Sequence, residues 1–226
     1  REFESLVVRR ITGEPVAYLL GEREFYGRAF HCTPAALIPR PETELLIDAA
    51  LTRITATEDA RILDVGTGTG CIAITLALER PRAQVTAIDV SRDALALACE
   101  NAQRLGATNI EFIQSHWFAA LSDTAQFDLI VSNPPYIVPG DAHLAEGDLR
   151  YEPAIALADA IDGLESYRQL LQGARKHLRD GGWLVVEHGF DQGESVPALF
   201  RAVGFSQVDV QRDLADLPRT TTGKWQ

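Results

Sequence analysis

Residues 132–138 read Ser-Asn-Pro-Pro-Tyr-Ile-Val and follow the apolar run Phe-Asp-Leu-Ile-Val. Pro134 and Pro135 carry no N–H, so the stretch offers backbone acceptors without competing donors. Each proline fixes its own φ, and each restricts the residue before it. The corner is therefore stiff. The Asn133 side-chain oxygen and the Pro134 carbonyl could each accept one hydrogen of a planar –NH2 group, with Tyr136 stacked on its flat face. Such a corner suits an amide or arylamine nitrogen held with its lone-pair face toward an electrophilic carbon.

A second cluster lies earlier. Asp64-Val65-Gly66-Thr67-Gly68-Thr69-Gly70 closes one apolar strand and opens a helix. Glycines permit a tight turn and a close backbone approach by a ligand. The dinucleotide fingerprint G-x-G-x-x-G needs glycine at position 71; the residue there is Cys71, and the spacing is G-x-G-x-G. Asp89 ends the next apolar strand, 23 residues after Gly66. An acid at that place can accept from both hydroxyls of a ribose. Loop and acid together favour a nucleoside ligand.

These residues need a scaffold, and the chain supplies an alternating one. RILDVG, QVTAIDV, IEFIQS, FDLIVS and WLVVEHG read as strands. CIAITLALER, DALALACENAQRL, LESYRQLLQGARKHL and SVPALFRAV read as helices, with Ser91 as a cap and Gly106 and Gly204 as stops. SQVDVQRD and the closing TTGKWQ add two more strands. The expectation is an α/β fold: a doubly wound, mostly parallel seven-stranded sheet, covered on both faces. Pro41 followed by ETELLIDAALTRI is a helix start. Residues 11–41 are rich in Gly and Pro, with β-type runs at Tyr18–Leu20 and Glu24–Cys32, and read as a β-hairpin linker. Residues 1–10 look like the tail of a helix, and 42–226 like the main domain.

Composition narrows the partners. The chain has 226 residues and a net charge of −11, with no long Lys/Arg run. A nucleic-acid backbone is a poor match for it. Cys32, Cys71 and Cys99 have no metal-type spacing and read as buried thiols in a reducing, cytoplasmic setting. No apolar run reaches membrane-spanning length.

The whole chain resembles the release factor glutamine methyltransferases, the PrmC/HemK family. GEPVAYLLGEREFYG, LIPRPETELL, LDVGTGTGCIAI, SHWF, IVSNPPYI, LRYEPAIAL, DGLESYRQLL, GGWLVVEHG and TTGKW carry the resemblance. IPRPETELL, NPPYI and YEP occurring together make it specific. It implies a class I, Rossmann-like methyltransferase sheet with a final antiparallel hairpin. It also implies that residues 1–10 are the remnant of an N-terminal helical domain for release-factor docking.

The activity implied is methyl transfer from S-adenosylmethionine (AdoMet) to a glutamine side-chain amide nitrogen, leaving S-adenosylhomocysteine. The glutamine lies in the Gly-Gly-Gln motif of peptide chain release factors. Gly66, Thr67, Gly68, Thr69 and Gly70 would form the AdoMet loop, Asp89 would bind the ribose and Trp117 would lie by the adenine. Asn133 would touch both cofactor and substrate, with Asn133, Pro134, Pro135 and Tyr136 holding the glutamine. Asn133, Pro134 and Tyr136 are the catalytic candidates; no metal and no general base are assigned. The family more often has an acid where this chain has His116. His143, after the corner, is a further candidate for substrate contact, and Glu42 and Glu44 for the border of the AdoMet pocket. The enzyme is expected to be a monomer.

Three rivals stand beside this reading. A nucleic-acid amino-methyltransferase shares the Asn-Pro-Pro-Tyr signature but would need a basic groove and a target-recognition insert. A ribosomal-protein glutamine methyltransferase is chemically identical; YEPAIAL and His188-Gly189 lean away from it. An NAD oxidoreductase would need the missing third glycine and a hydride-relay residue.

Overall fold

The computed structural model describes residues 2–55, 59–145, 147–159 and 161–226. Helix α1 (Glu2–Ile11) opens the chain and a short α2 (Val16–Leu20) follows. The latter corrects the expectation of a strand at Tyr18–Leu20. Pro15 in extended conformation (φ −56°, ψ 138°) starts the turn, its carbonyl accepts from the N–H groups of Tyr18 and Leu19, and Gly21 ends it at φ 76°. Within those boundaries Ala17, Leu19 and Leu20 are strong helix formers, so the run closes one helical turn instead of extending. Strands β1 (Glu22–Phe25) and β2 (Arg28–His31) then form the expected antiparallel hairpin.

Pro41–Thr43 make one 3₁₀ turn that leads into α3 (Glu44–Leu51). From there the chain alternates: β3 (Arg61–Val65), α4 (Cys71–Glu79), β4 (Gln84–Asp89), α5 (Arg92–Leu105) and β5 (Ile110–Gln114). It returns to the centre with β6 (Phe127–Ser132). A long loop and a four-residue helix α6 (Ala154–Leu157) precede α7 (Glu165–His177) and β7 (Leu178–Glu187). Helix α8 (Ser195–Val203), β8 (Ser206–Arg212) and β9 (Pro218–Lys224) close the fold. Strand β7 starts directly after α7, earlier than the sequence predicts. Asp180-Gly181-Gly182 is absorbed as an irregularity in its register with β6, which jumps from Phe127↔Leu178 to Leu129↔Trp183.

The seven-stranded sheet has the order β5-β4-β3-β6-β7-β9-β8. All pairs are parallel except those of β9, which runs antiparallel to both β7 and β8. Residues of the central strands alternate between two cores, as a two-residue period dictates. Ile62, Leu129 and Val185 face α3, α4 and the hairpin residues Phe25 and Phe30. Leu63, Ile130 and Leu184 face Tyr167, Leu170 and Leu171 of α7 and Phe200 of α8. Burial on both faces explains why these strands read as unbroken apolar runs.

The winding places the functional edge. The chain leaves β3 toward β4 and β5, then comes back to β6 on the other side of β3. Neighbouring loops therefore diverge at the carboxyl ends of β3 and β6, where open α/β sheets bind ligands.

Candidate active site

A cleft of about 210 Å³ opens at this switch point. It has room for a small molecule rather than for water alone. Gly66, Thr67, Gly68 and Thr69 line it from the β3 side, Asp89 from β4, Trp117 from the loop after β5, and Asn133, Pro134 and Pro135 from β6. Sequence-predicted residues from four strand ends thus meet around one space.

The glycine loop is built from left-handed turns, with φ 77° at Gly66, 55° at Gly68 and 82° at Gly70. The N–H groups of four of its residues are already engaged. Gly66 and Thr67 donate to the Ile88 carbonyl at 2.9 and 3.0 Å, Gly68 to Asp89 Oδ2 at 2.9 Å, and Gly70 to the Thr67 carbonyl at 2.8 Å. No nest of free donors is left at these four residues for a pyrophosphate. A Cβ on Gly66 would stand in open space beside the cleft. Gly70 behaves differently: its missing Cβ makes room for Ile74 and Ala98, at 2.7 and 3.1 Å, so its task is to pack α4 on α5 behind the loop.

Asp89 accepts from Gly68 N–H on one oxygen and from Ser91 N–H on the other, both at 2.9 Å. Each oxygen keeps a second lone pair, so the carboxylate is fixed yet able to take two hydroxyl donors. Asp64 fixes the start of the loop. It is fully buried and its Oδ2 accepts from Thr67 Oγ1 at 2.7 Å and from Ala73 N–H at 3.2 Å, while Oδ1 has no partner. Burial raises its pKa to about 7.

Trp117 holds φ 49°, a left-handed value that is uncommon for a bulky residue and carries strain. Ser115 pins it: its hydroxyl donates to the Trp117 carbonyl and accepts from Ala120 N–H. His116 lines the cleft as well.

At the other wall, Ser132 Oγ donates to the Val65 carbonyl at 2.7 Å and ties the ends of β6 and β3 together. Asn133 then presents its side chain, with Nδ2 donating to Thr43 Oγ1 at 3.3 Å. Pro134 is buried and Pro135 half-buried. Tyr136 is not part of the lining. Its ring packs on the core formed with α7, and burial raises its hydroxyl pKa to about 12. The His143 side chain lies outside the described residues.

Several contributors escaped the sequence reading. Residues 35–40, within the segment read as a linker, form a wall of the cleft. Glu152 holds that wall. Its buried carboxylate accepts from Ile38 N–H at 2.9 Å and pairs with Arg40. From Arg-Pro-Glu-Thr-Glu it is Arg40 and Thr43 that line the cleft, not the acids; Glu44 instead accepts from Tyr26 N–H at 2.9 Å and fastens the hairpin. Asn101 is a buried bracket. It accepts from His31 N–H at 2.8 Å and donates to the His31 and Thr69 carbonyls at 3.1 and 3.0 Å, joining hairpin, loop and α5. The recurrence of YEP with IPRPE was the one available signal; Asn101 gave none. Among the described residues no His/Cys/Asp/Glu group could hold a metal ion, no helix is long and apolar enough to cross a membrane, and the three cysteines are free.

Comparison with known proteins agrees with this architecture. The profile of the family described as "Methyltransferase domain" matches residues 56–212. Among solved structures, the T. thermophilus 16S rRNA methyltransferase RsmC, in complex with AdoMet and guanosine, superposes with a TM-score of 0.68 at 20% identity. It covers 91% of this chain and 50% of that one. A Pyrococcus furiosus methyltransferase does so with 0.65 at 18% identity, over 96% of each chain. The chain is a methyltransferase of class I, Rossmann-like fold. The release factor glutamine methyltransferase of Neisseria gonorrhoeae is 53% identical over 98% of this chain and 81% of its own length. That of Salmonella typhimurium is 48% identical over 100% and 80%, and that of Escherichia coli K12 45% over 100% and 80%. The chain belongs to the release factor glutamine methyltransferase family.

Proposed function

We propose that this protein transfers a methyl group from AdoMet to the side-chain amide nitrogen of the glutamine in the Gly-Gly-Gln motif of peptide chain release factors, as a cytoplasmic monomer. One observation carries the reading. The Asn-Pro-Pro corner and the glycine loop with its ribose-type acid line the same cleft, in a chain about half identical to enzymes of that name.

The donor set fits AdoMet. Four of the loop's five N–H groups, at Gly66, Thr67, Gly68 and Gly70, are spent within the fold, which suits an adenosyl ligand that carries no phosphate. Asp89 retains acceptor capacity for two ribose hydroxyls, Trp117 offers an aromatic face for the adenine, and the Gly66 side leaves space. When bound, AdoMet supplies a methyl group on a cationic sulfur.

The chain's own residues handle the amide. Asn133 turns its NH2 toward Thr43, so its Oδ1 is the end left for an incoming donor. Asn133 Oδ1 and the Pro134 carbonyl would each accept a hydrogen bond from the glutamine –NH2, and the nitrogen, once methylated, would release one of those protons to solvent. An amide nitrogen is a poor nucleophile because its lone pair is delocalised. Two acceptors on its hydrogens raise electron density on nitrogen as planarity is lost, which favours the transition state over the ground state. The rigid prolines hold that nitrogen in line, and orientation of this kind supplies up to roughly 7–11 kcal/mol in well-positioned systems. Tyr136, anchored in the core, fixes the far end of the corner.

The test is incubation with tritiated AdoMet and, separately, a purified release factor, its Gly-Gly-Ala variant, and duplex DNA. Label on the wild-type factor alone is the expected result. Label on the DNA, or equal label on the Ala variant, would overturn it.

A further inference from the structure

Behind Asn133 lies a buried acid for which the transfer chemistry above has no use. Glu187 is the last residue of β7, one beyond Val186, which pairs with Ser132. It is 2% exposed, and its Oε2 has no hydrogen-bond partner. The Thr43 hydroxyl and the Asn133 side-chain amide both favour its ionised form. Thr43 in turn accepts from Asn133 Nδ2. The hydroxyl and the amide are bonded to each other, and the register of β7 on β6 sets the acid next to them, behind the cleft.

We propose that Glu187 and Thr43 are positioning residues that lock the Asn133 amide with its NH2 inward and its oxygen toward the substrate. This rests on the assignment of Asn133 Oδ1 as an acceptor for the glutamine –NH2. The argument is one of donor and acceptor counts. An ionised carboxylate only accepts, so the amide end that faces it must be NH2. A side-chain amide has no such preference of its own: its two ends are nearly the same size and exchange by a half-turn. If the amide were reversed, two donors would meet in the cleft, and the glutamine –NH2 would be repelled. Removing or protonating Glu187 removes the bias. A protonated carboxyl can donate to Asn133 Oδ1 and stabilise the reversed amide.

The surroundings set when that happens. Burial raises the Glu187 pKa to about 7, while contacts with Thr43, Arg219 and Asn133 pull it down and Glu42 pushes it up. Arg219 reaches it from β9, Glu42 from the turn before α3, Tyr136 from the corner, Tyr167 from α7 and Cys71 from α4. His188 is next in sequence, with burial lowering its own pKa. The geometry thus couples the direction of one amide to the charge of one acid.

The experiment compares wild type with Glu187→Gln, Thr43→Val and Thr43→Ser. The Asn133 side-chain resonances of 15N-labelled protein are followed from pH 5.5 to 8.5, beside kcat and AdoMet affinity. In the wild type those resonances should titrate, and kcat should rise tenfold or more across the same range. Glu187→Gln should abolish both dependences and lower kcat at pH 8 by tenfold or more, with AdoMet affinity within about threefold. Thr43→Ser, which keeps the hydroxyl, should recover most of the turnover lost in Thr43→Val. A Glu187→Gln enzyme with the wild-type pH profile, or Asn133 resonances that do not titrate, would overturn the proposal. Should Glu187→Gln fail to fold, the Thr43 pair and the wild-type titration decide alone. The resonances need no substrate, so a protein that labels no release factor yet shows the titration sinks the functional reading and leaves the lock standing.

Discussion

Arg40 and Glu152, 112 residues apart in sequence, form an ion pair across the mouth of the cleft. The Glu152 side chain is completely buried, whereas Arg40 is 30% exposed. The second oxygen of Glu152 accepts from Ile38 N–H. One carboxylate therefore clamps the segment 35–40 as a wall, and joins two motifs that look unrelated in the sequence. Glu152→Gln keeps the shape but sets an NH2 against either a guanidinium or an N–H. Breaking a fully buried pair costs about 3–5 kcal/mol; the exposed Arg40 makes about 2 kcal/mol the better expectation here. At roughly 2–4 °C per kcal/mol for this size, Tm should fall by about 4–8 °C. The loosened wall should weaken AdoMet binding about tenfold, read by calorimetry, with a smaller effect on kcat at saturation.

The sequence made the sheet legible because period and boundary agree there. Apolar runs of five or six residues alternate with capped helices, and the structure places them as expected. It also made legible the parts of the site whose chemistry is local. Asn133-Pro134-Pro135 is stiff in any context, and a glycine loop followed by an acid at the next strand end implies a ligand edge. What stayed hidden depends on long-range pairing. The wall at 35–40 carries no ligand-type residue of its own, and only Glu152 makes it a wall. Asn101 sits mid-helix like any solvated amide, and its three bonds exist only once hairpin and loop pack on α5. Gly70 fits the loop pattern, yet its neighbours show that helix packing, not ligand approach, demands it.

Asn133→Ala separates binding from chemistry. On the proposed mechanism the variant removes one of two acceptors for the substrate amide, while the glycine loop, Asp89 and Trp117 stay in place. Loss of one preorganised hydrogen-bonding group at a reacting centre lowers kcat by about 10²–10³. Single-turnover labelling should show that fall, with AdoMet affinity within about threefold. Comparable turnover in the variant would remove the clamp from the mechanism.

Gly173 sets helix propensity against packing. It lies inside α7, where Gly→Ala gains about 1 kcal/mol in an exposed helix. A Cβ at this position would lie 2.0 Å from Phe118 Cδ2. Phe118 has little freedom to retreat, since its ring stacks on the buried His177 at 5.4 Å between centroids. Overpacking costs about 1–3 kcal/mol, so the clash outweighs the propensity. Gly173→Ala should lower stability slightly, and it should weaken AdoMet binding several-fold, because Phe118 adjoins the strained Trp117. A rise in Tm with unchanged affinity would show that the loop after β5 adapts freely.

Asp64 and Glu187 give the stability a distinctive pH dependence. Burial raises both carboxyl groups to about 7 in the folded chain, from 3.8 and 4.5. Between those values and 7 the folded state holds two protons that the unfolded chain has released. Their contribution is complete below about pH 4 and is lost as pH climbs through 7, by at most about 1.4 kcal/mol per pH unit for each group. Asp159, Asp162 and Asp213 act in the opposite sense, because backbone N–H groups or arginine partners hold them low. Their stabilisation disappears as pH drops below the ordinary aspartate range, so the two effects occupy separate windows. Scanning calorimetry should find Tm falling from pH 5 to pH 8. Asp64→Asn should flatten that slope by about half, and Glu187→Gln by most of the remainder. If the orientation of Asn133 depends on an ionised Glu187, activity rises over the same interval in which stability declines. The enzyme then works where one buried charge costs it stability, and removing that charge should raise Tm at pH 8 while turnover falls.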